Sequence, residues 1–258
     1  MVLQREMAPC GVTWTVNSQQ NTLNALPIAE LKQSIADHRL VLLRGLEPPT
    51  ADDMLMFCGK LGGLHRWEFG AINDLIPTSD PPDYLYSHEG VPFHWDGAFV
   101  ETPPRYIFFH CQTAPPPGCG GETLFCDTIR LLQNIPKIEL AHWAEITITY
   151  NTPRGVYRGG SPVQAMLAKH PVTGQQVLRY AEPVDDINPV SLEIQGMSDD
   201  QRETLQQRMR DLLYDPAFCL SHEWQGGDLV VADNHALLHG RNAFEQTVPR
   251  QLQRINIL

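Results

Sequence analysis

Two side chains that could bind a metal lie two residues apart in segment 91–97, Val-Pro-Phe-His-Trp-Asp-Gly. The segment is expected to be extended, and residues i and i+2 of a strand point to the same face, so His94 and Asp96 should lie side by side. An imidazole and a carboxylate are two of the three ligands of the 2-His-1-carboxylate triad, which binds non-haem Fe(II) and leaves positions open. Taken alone, the pair is more simply explained by a surface histidine hydrogen-bonded to a nearby aspartate. The metal hypothesis therefore depends on the rest of the chain.

The second histidine of such a triad should lie far downstream, on another strand of the same barrel. His235 and His239 are the two candidates. His239 ends the apolar run Ala-Leu-Leu at 236–238, which would place it inside, whereas His235 lies in the preceding turn. His239 is therefore favoured as the second histidine ligand, but His235 remains a candidate. His110 is a further candidate, with a place in the hydrophobic core as its alternative.

Two arginines in the last segment could bind an anion. Arg250 and Arg254 are four residues apart, and in a strand both side chains face the same way. Two buried guanidinium groups are costly unless they meet anions, and arginine binds carboxylates through paired hydrogen bonds. A cosubstrate with two carboxylates, such as 2-oxoglutarate, would supply that partner. Surface salt bridges to the many acidic residues are the alternative.

The elements that must position these groups are mostly short strands. Apolar or alternating segments between Gly- and Pro-rich turns predict strands at 40–43, 106–111, 121–126, 146–150, 176–180, 229–232, 236–240 and 250–258. Helices are expected at 27–39, at 51–61 after a Thr50 cap, after Asp127, at 136–144, and from Ser198, where Gln201 would complete a capping box. This pattern predicts a β-sandwich or barrel with helical additions.

Two irregular segments are candidates to contact a substrate. Segment 65–90 is rich in aromatic residues and interrupted by prolines, so we expect either an active-site lid or an ordered loop that packs its own aromatics. A second irregular, polar segment covers 154–162. The candidate substrate contacts in the two segments are Trp67, Phe69, Tyr84, Tyr86, Tyr157 and Arg158.

Length, charge and cysteine content narrow the class of protein. The chain has 258 residues, enough to bury a full core without metal or disulfide support, and a single domain over 1–258 is expected. A formal net charge of −11 argues against nucleic acid or an anionic membrane as the main partner. No secretory signal or membrane-spanning apolar stretch is expected. The six cysteines form no C-x-x-C pair and indicate free thiols in a reducing, cytoplasmic setting.

The order and spacing of these motifs, from residue 93 to the C-terminus, resemble the TauD/TfdA group of Fe(II)/2-oxoglutarate-dependent dioxygenases. The matching residues are His94-x-Asp96, Gly120-Gly121-Glu122-Thr123, Asp233-Asn234 with His239, and Arg250 with Arg254. The resemblance implies a mainly β fold with helical additions, the double-stranded β-helix or jelly roll. It implies that His94, Asp96 and His239 bind Fe(II), and that Thr123 and Arg250 bind the distal carboxylate of 2-oxoglutarate. Arg254 would lie near either the C1 carboxylate or a substrate anion, and O₂ would be the second cosubstrate.

A closer resemblance, from about residue 27 onward, is to the PvcB-type isonitrile-pathway oxygenases of paerucumarin and rhabduscin biosynthesis. The segments that carry it are 40–45, 67–71, 91–97, 109–111 and 231–241. It implies a small-molecule substrate, an isocyano derivative of an aromatic amino acid. Tyrosine isonitrile is the expected substrate, and tryptophan isonitrile is the alternative. The implied reaction introduces an alkene, with or without loss of the carboxylate.

Three alternatives to this function stay open at the level of sequence. The same fold could hydroxylate another amino-acid-like or anionic substrate, because the motifs indicate iron and cosubstrate but not the outcome of the oxidation. A non-catalytic jelly-roll protein would not need the triad, Thr123 and Arg250 together. A cupin-like metal isomerase or hydrolase would bind metal but not 2-oxoglutarate. Whether the chain forms a homo-oligomer is also left open.

Overall fold

The computed structural model describes residues 2–17, 21–100, 102–152, 161–185 and 187–258. The strands, in chain order, are β1 (Val2–Glu6), β2 (Val12–Val16), β3 (Leu40–Arg44), β4 (Ile72–Leu75), β5 (Val91–His94), β6 (Tyr106–Thr113), β7 (Thr123–Asp127), β8 (Thr147–Asn151), β9 (Val163–Ala165), β10 (Leu167–Lys169), β11 (Gln176–Leu178), β12 (Ser191–Ile194), β13 (Cys219–His222), β14 (Leu229–Asp233), β15 (Leu237–Arg241) and β16 (Gln251–Ile257). The α-helices are α1 (Ile28–His38), α2 (Ala51–Leu61), α3 (Thr128–Gln133), α4 (Lys137–Ala144) and α5 (Asp199–Leu213).

Eight of these strands form two packed antiparallel layers. One layer has the strand order β14-β6-β16-β4 and the other has the order β13-β7-β15-β5. In chain order, these eight strands alternate between the two layers, except that β7 and β13 follow each other in the same layer. This alternation is the winding of a jelly roll. Side chains of both layers meet in one core, where the rings of Phe109 and Phe125 lie 6.4 Å apart. The predicted fold class is therefore confirmed.

Three N-terminal strands extend the first layer to seven strands, in the order β1-β2-β3-β14. The apolar run of β3 is buried on both faces, since Val41 and Leu43 pack toward α1 and α2 while Leu40 and Leu42 face the jelly-roll interior. A strand covered on both faces is expected to be continuously apolar. Neither β1 nor β2 was predicted. β1 is an edge strand with exposed side chains on both faces, and the five residues of β2 are held by pairing with β1 and, in parallel, with the distant β3.

The helix ends follow the capping residues predicted from the sequence. Thr50 and Asp53 form a capping box at the start of α2, and Ser198 and Gln201 form another at the start of α5. The carboxylate of Asp127 accepts hydrogen bonds from the first backbone N–H groups of α3. Each cap satisfies donors that a helix cannot satisfy internally. No helix in the described ranges combines the length and apolar character needed to cross a membrane.

A long insertion between β7 and β13 closes one side of the jelly-roll mouth. It contains α3, α4 and α5 with a three-stranded sheet of order β12-β8-β9 and the β10-β11 hairpin. Its core packs on the residues around β5, where the ring of Trp95 lies 5.7 Å from the ring of Tyr150. The insertion therefore forms a wall beside the predicted metal ligands.

Segment 65–90 is less irregular than the sequence indicates. Its residues Ile72–Leu75 form β4, which pairs with β16 and is an edge strand of the first layer. The expectation of an irregular segment throughout is wrong at this point. The strand was missed because its four residues are flanked by loops and carry only a short apolar alternation.

Candidate active site

The two histidines of the predicted triad lie opposite each other on neighbouring strands. β5 and β15 pair antiparallel with His94 directly opposite His239, and their ring centroids are 4.2 Å apart. Directly opposite residues of an antiparallel pair project from the same face, so both imidazoles point the same way. Nδ1 of His94 donates to the carbonyl of Pro92 at 2.9 Å. Because a carbonyl only accepts, this bond places the ring proton on Nδ1 and leaves Nε2 with a free lone pair.

Asp96 completes the cluster from a position just beyond β5. The strand ends at His94, and Asp96 lies in a turn that continues through Gly97 at φ +113°. The expectation that both residues belong to one strand is therefore wrong, although the two side chains do converge. Oδ1 of Asp96 lies 3.7 Å from Nε2 of His94 and 3.8 Å from Nε2 of His239.

Asn234 fixes the turn that carries Asp96. Its Oδ1 accepts from the backbone N–H of Asp96 at 2.9 Å, and its Nδ2 donates to the carbonyls of Asp96 and Pro104 at 2.7 Å each. Asn234 belongs to the Asp233-Asn234 motif, and its role was not predicted from the sequence. Since Asn234 precedes β15, it joins the turn holding Asp96 to the strand holding His239.

The electrostatics of the cluster keep all three ligand groups unprotonated at neutral pH. Burial raises the pKa of Asp96, but Arg254 and the two histidines lower it, to a net value of about 2. Burial, followed by the neighbouring His94, lowers the pKa of His239 to about 3. Burial also lowers the pKa of His94. A metal ion would not have to displace protons from these groups, which favours binding.

The carboxylate of Asp96 is oriented by two further side chains. Nδ2 of Asn256 donates to Oδ2 at 2.9 Å, which leaves Oδ1 facing the histidines. Nη1 of Arg254 lies 3.4 Å from both carboxylate oxygens. Nε of Arg254 is buried without a hydrogen-bond partner in the described structure, so this guanidinium retains a free donor.

Arg250 lies deeper in the barrel, beside Thr123. Its Nε donates to the carbonyl of Gly121 at 3.0 Å and its Nη2 to Oγ1 of Thr123 at 3.4 Å. Trp224 donates to the same hydroxyl at 2.9 Å, so the Thr123 hydroxyl proton is free for another acceptor. Burial lowers the pKa of Arg250 to about 9, and among the described residues no carboxylate lies within 4 Å of its guanidinium. A buried, unpaired guanidinium beside a free hydroxyl proton is a site for a carboxylate.

Two cavities meet at the cluster. The outer cavity, whose empty space of about 940 Å³ includes its opening to solvent, is lined by His94, Asp96 and Arg254 together with aromatic and apolar side chains of the jelly-roll mouth and the insertion. The smaller inner cavity, whose empty space of about 370 Å³ likewise includes its opening, leads from His94 and His239 to Thr123 and Arg250. The three ligand groups thus separate a large aromatic space from a small space that ends at a cation.

The predicted substrate contacts are only partly brought together. Trp67 and Tyr84 line the outer cavity. Phe69 is 62% exposed and stacks on Trp67, and Tyr86 donates its hydroxyl to Asn73; neither lines the cavity. Tyr157 and Arg158 lie outside the described residues. The insertion and the turn after β5 supply further cavity walls that were not predicted, which include Trp95, Phe99 and Tyr150.

The competing histidines have other partners. Nδ1 of His235 accepts from Arg179 at 2.7 Å, and burial, followed by Arg179, lowers the pKa of His235 to about 4. His110 bonds to Gln253 through Nδ1. Among the described residues, only His94, Asp96 and His239 form a group of three potential metal ligands whose ligand atoms lie within 4.8 Å of one another. The geometry thus brings His239, not His235, to the cluster.

Fold and site together define a class of protein. A jelly roll with two imidazoles and one carboxylate at its mouth has the arrangement of the 2-His-1-carboxylate non-haem iron oxygenases. The chain belongs to the TauD/TfdA family, since the sequence model described as "Taurine catabolism dioxygenase TauD, TfdA family" matches residues 5–256.

Several relatives share most of this chain. It is 40% identical to the "3-((Z)-2-isocyanoethenyl)-1H-indole synthase" of Fischerella ambigua, over 98% of this chain and 94% of that protein. It is 35% identical to the "Tyrosine isonitrile desaturase" of Pseudomonas aeruginosa, over 90% of this chain and 81% of that protein. The crystal structure of the PvcB protein from Pseudomonas aeruginosa superposes with a TM-score of 0.84 at 30% identity, covering 99% of this chain and 91% of that one.

Proposed function

We propose that this chain is an Fe(II)- and 2-oxoglutarate-dependent oxygenase that desaturates the isocyano derivative of an aromatic amino acid. The observation that carries the proposal is the convergence of His94, Asp96 and His239 on the boundary between the two cavities. The names of the relatives support the substrate class, and another solved PvcB structure is described as "an Fe, alpha-ketoglutarate dependent oxygenase from an isonitrile synthetic pathway". The family match over residues 5–256 supports one dioxygenase domain.

The donor set fits Fe(II). His94 and His239 offer Nε2 lone pairs and Asp96 offers Oδ1, and three such ligands leave open positions at one metal. Bound iron supplies the activation of O₂, coupled to oxidation of 2-oxoglutarate to succinate and CO₂. The protein fixes the direction of two of these ligands, His94 through the Pro92 carbonyl and Asp96 through the side chains of Asn256 and Asn234. Such partners hold ligand atoms ready for the metal.

The inner cavity fits 2-oxoglutarate. We assign its distal carboxylate to Arg250 and Thr123, whose free donors face the cavity end. Arg254 lies beside Asp96 and lines both cavities, so it can reach an anion held at the metal. It is therefore placed for the C1 carboxylate or a carboxylate of the substrate.

The outer cavity fits an aromatic substrate. Its walls include Trp67, Tyr84, Trp95 and Tyr150, and aromatic rings pack favourably in stacked or edge-to-face arrangements. A substrate ring held there would place its benzylic carbon toward the metal ligands and keep water away from them. Relatives named for an indole product and for tyrosine isonitrile make both rings candidates.

Product mass tests the proposal. Purified protein with Fe(II), 2-oxoglutarate and O₂ would be offered the isonitriles of tyrosine and tryptophan in parallel, with His239→Ala as the inactive control. We expect a product lighter by two hydrogens, or by those and CO₂, from at least one of them. A product heavier by one oxygen would instead support the alternative, a hydroxylase. Succinate formed with both isonitriles unchanged would remove the substrate assignment and retain the oxygenase.

A further inference from the structure

Arg241 is a buried cation that the proposed chemistry does not use. It lies on β15, two residues after His239, and is 8% exposed. Among the described residues, no carboxylate lies within 4 Å of its guanidinium. Burial lowers its pKa to about 10. Without an acidic partner, the guanidinium directs its Nη donors to backbone carbonyls, while its Nε is buried without a hydrogen-bond partner among the described residues.

The guanidinium binds four backbone carbonyls of one short segment, which we term the 84–89 wall. Nη1 donates to the carbonyl of Leu85 at 2.9 Å. Nη2 lies 3.2 Å from the carbonyl of Tyr84, 2.9 Å from that of Ser87 and 2.6 Å from that of Glu89. A planar group with several donors in fixed directions suits such a cluster, whereas an ammonium group does not.

The 84–89 wall forms part of both cavities. Tyr84 and Leu85 line the outer cavity, and Leu85 also lines the inner one, as Arg241 itself does. The wall starts with a short 3-10 turn, Tyr84–Tyr86, in which Asp83 accepts from the N–H of Leu85. The wall leads into β5, which pairs with β15, and the carbonyl of His88 accepts from the N–H of Phe244 at 3.0 Å. The Arg241 guanidinium adds contacts to Tyr84 and Leu85, the wall residues that line the cavities, and so connects the strand of a proposed metal ligand to the substrate side of the site.

We propose that Arg241 is a positioning residue for the substrate: it holds the 84–89 wall in a fixed place relative to His239. This inference rests on the proposed function. With the wall in place, the substrate ring is confined close to the metal ligands. Without it, the metal and 2-oxoglutarate would still bind, but the substrate would be poorly held, so that 2-oxoglutarate is converted to succinate without oxidation of the substrate. Misplacement of a substrate by about 1 Å can lower the rate on the order of 100-fold.

The test is the conservative variant Arg241→Lys, which keeps the positive charge beside Arg250 and loses the four-carbonyl contact. Arg44→Lys is the matched control, because Arg44 also makes paired hydrogen bonds, to Asp228, and lines neither cavity. Affinities for Mn(II) and 2-oxoglutarate, the KM for the isonitrile and the ratio of succinate to product would be measured for both. We expect R241K to raise the substrate KM at least about tenfold and to form excess succinate, with the two binding affinities unchanged.

Two results would overturn the proposal. One is a substrate KM and a succinate-to-product ratio equal to those of the parent protein. The other is a loss of 2-oxoglutarate affinity as large as the loss of substrate affinity, which would give Arg241 a cosubstrate role instead. If R241K does not fold, Arg241→Gln, whose single amide group cannot bind all four carbonyls, tests the same contact, and normal coupling in that variant would also contradict the proposal. If neither isonitrile is turned over, substrate-free succinate formation shows that the proposed substrate, not Arg241, is at fault.

Discussion

Replacing Arg250 by methionine should weaken the binding of 2-oxoglutarate without lowering the stability of the protein. Arg250 is 4% exposed, its hydrogen bonds in the described structure go to Gly121 and Thr123, and its guanidinium lies 5.7 Å from the centroid of the Phe244 ring. Removing a buried, unpaired charge and keeping an apolar side chain of similar length should leave the free energy of unfolding unchanged or raise it. Binding of 2-oxoglutarate should instead lose one partner of a buried charge pair, a loss of about 2 to 5 kcal/mol.

That loss corresponds to a decrease in 2-oxoglutarate affinity of roughly 30-fold to several-thousand-fold. It would be measured by anaerobic titration with Mn(II) present, and stability would be measured by urea unfolding without ligands. Arg44→Met is the matched control, since it leaves the buried carboxylate of Asp228 without its arginine. The control should destabilise the protein and keep the 2-oxoglutarate affinity. An R250M variant that binds 2-oxoglutarate as tightly as the parent, or that loses as much stability as R44M, would refute the reasoning.

Three further predictions concern the metal cluster and its surroundings. His239→Ala should abolish Fe(II) binding in an anaerobic titration while His235→Ala retains it; the reverse result would make His235 the ligand. Asn234→Ala should weaken Fe(II) binding by about 10- to 100-fold, because the backbone of Asp96 loses two hydrogen bonds and that of Pro104 loses one, and an unchanged affinity would contradict this positioning role. The pKa of His235 is about 4 in the folded protein, below its value of about 6.5 in the unfolded chain. The contribution of neutral His235 to the free energy of unfolding is therefore complete above about pH 6.5 and is lost as the pH falls toward 4, because the unfolded chain binds the proton first. His235→Gln should flatten the urea-unfolding profile between these pH values, and an equally steep profile would exclude His235 as the cause.

Much of the fold could be predicted because its signals are local. The apolar run 40–43 and the caps Thr50, Asp127 and Ser198 each depend on neighbouring residues, and all are confirmed. The strands that were missed depend on distant partners. β1 has largely exposed side chains, and β4 is four residues long and is stabilised by pairing with β16.

The site was predictable to the extent that residue chemistry limits the choices. An imidazole ending an apolar run favoured His239 over His235, and the geometry brings His239 to the cluster. What decides this is the register of β15 against β5, which sets His239 opposite His94, and no sequence pattern defines a register over such a separation. The positions of Asn234 and Arg241 depend on the same long-range pairing, so their contacts become visible only in the folded chain.

The most direct test of desaturation is the fate of the oxygen atoms in a reaction run under ¹⁸O₂ with Fe(II), 2-oxoglutarate and the better isonitrile. We expect one succinate, containing a single ¹⁸O atom, for each alkene formed, and an alkene product that contains none. A product that carries ¹⁸O on the former benzylic carbon would contradict desaturation and identify the protein as a hydroxylase.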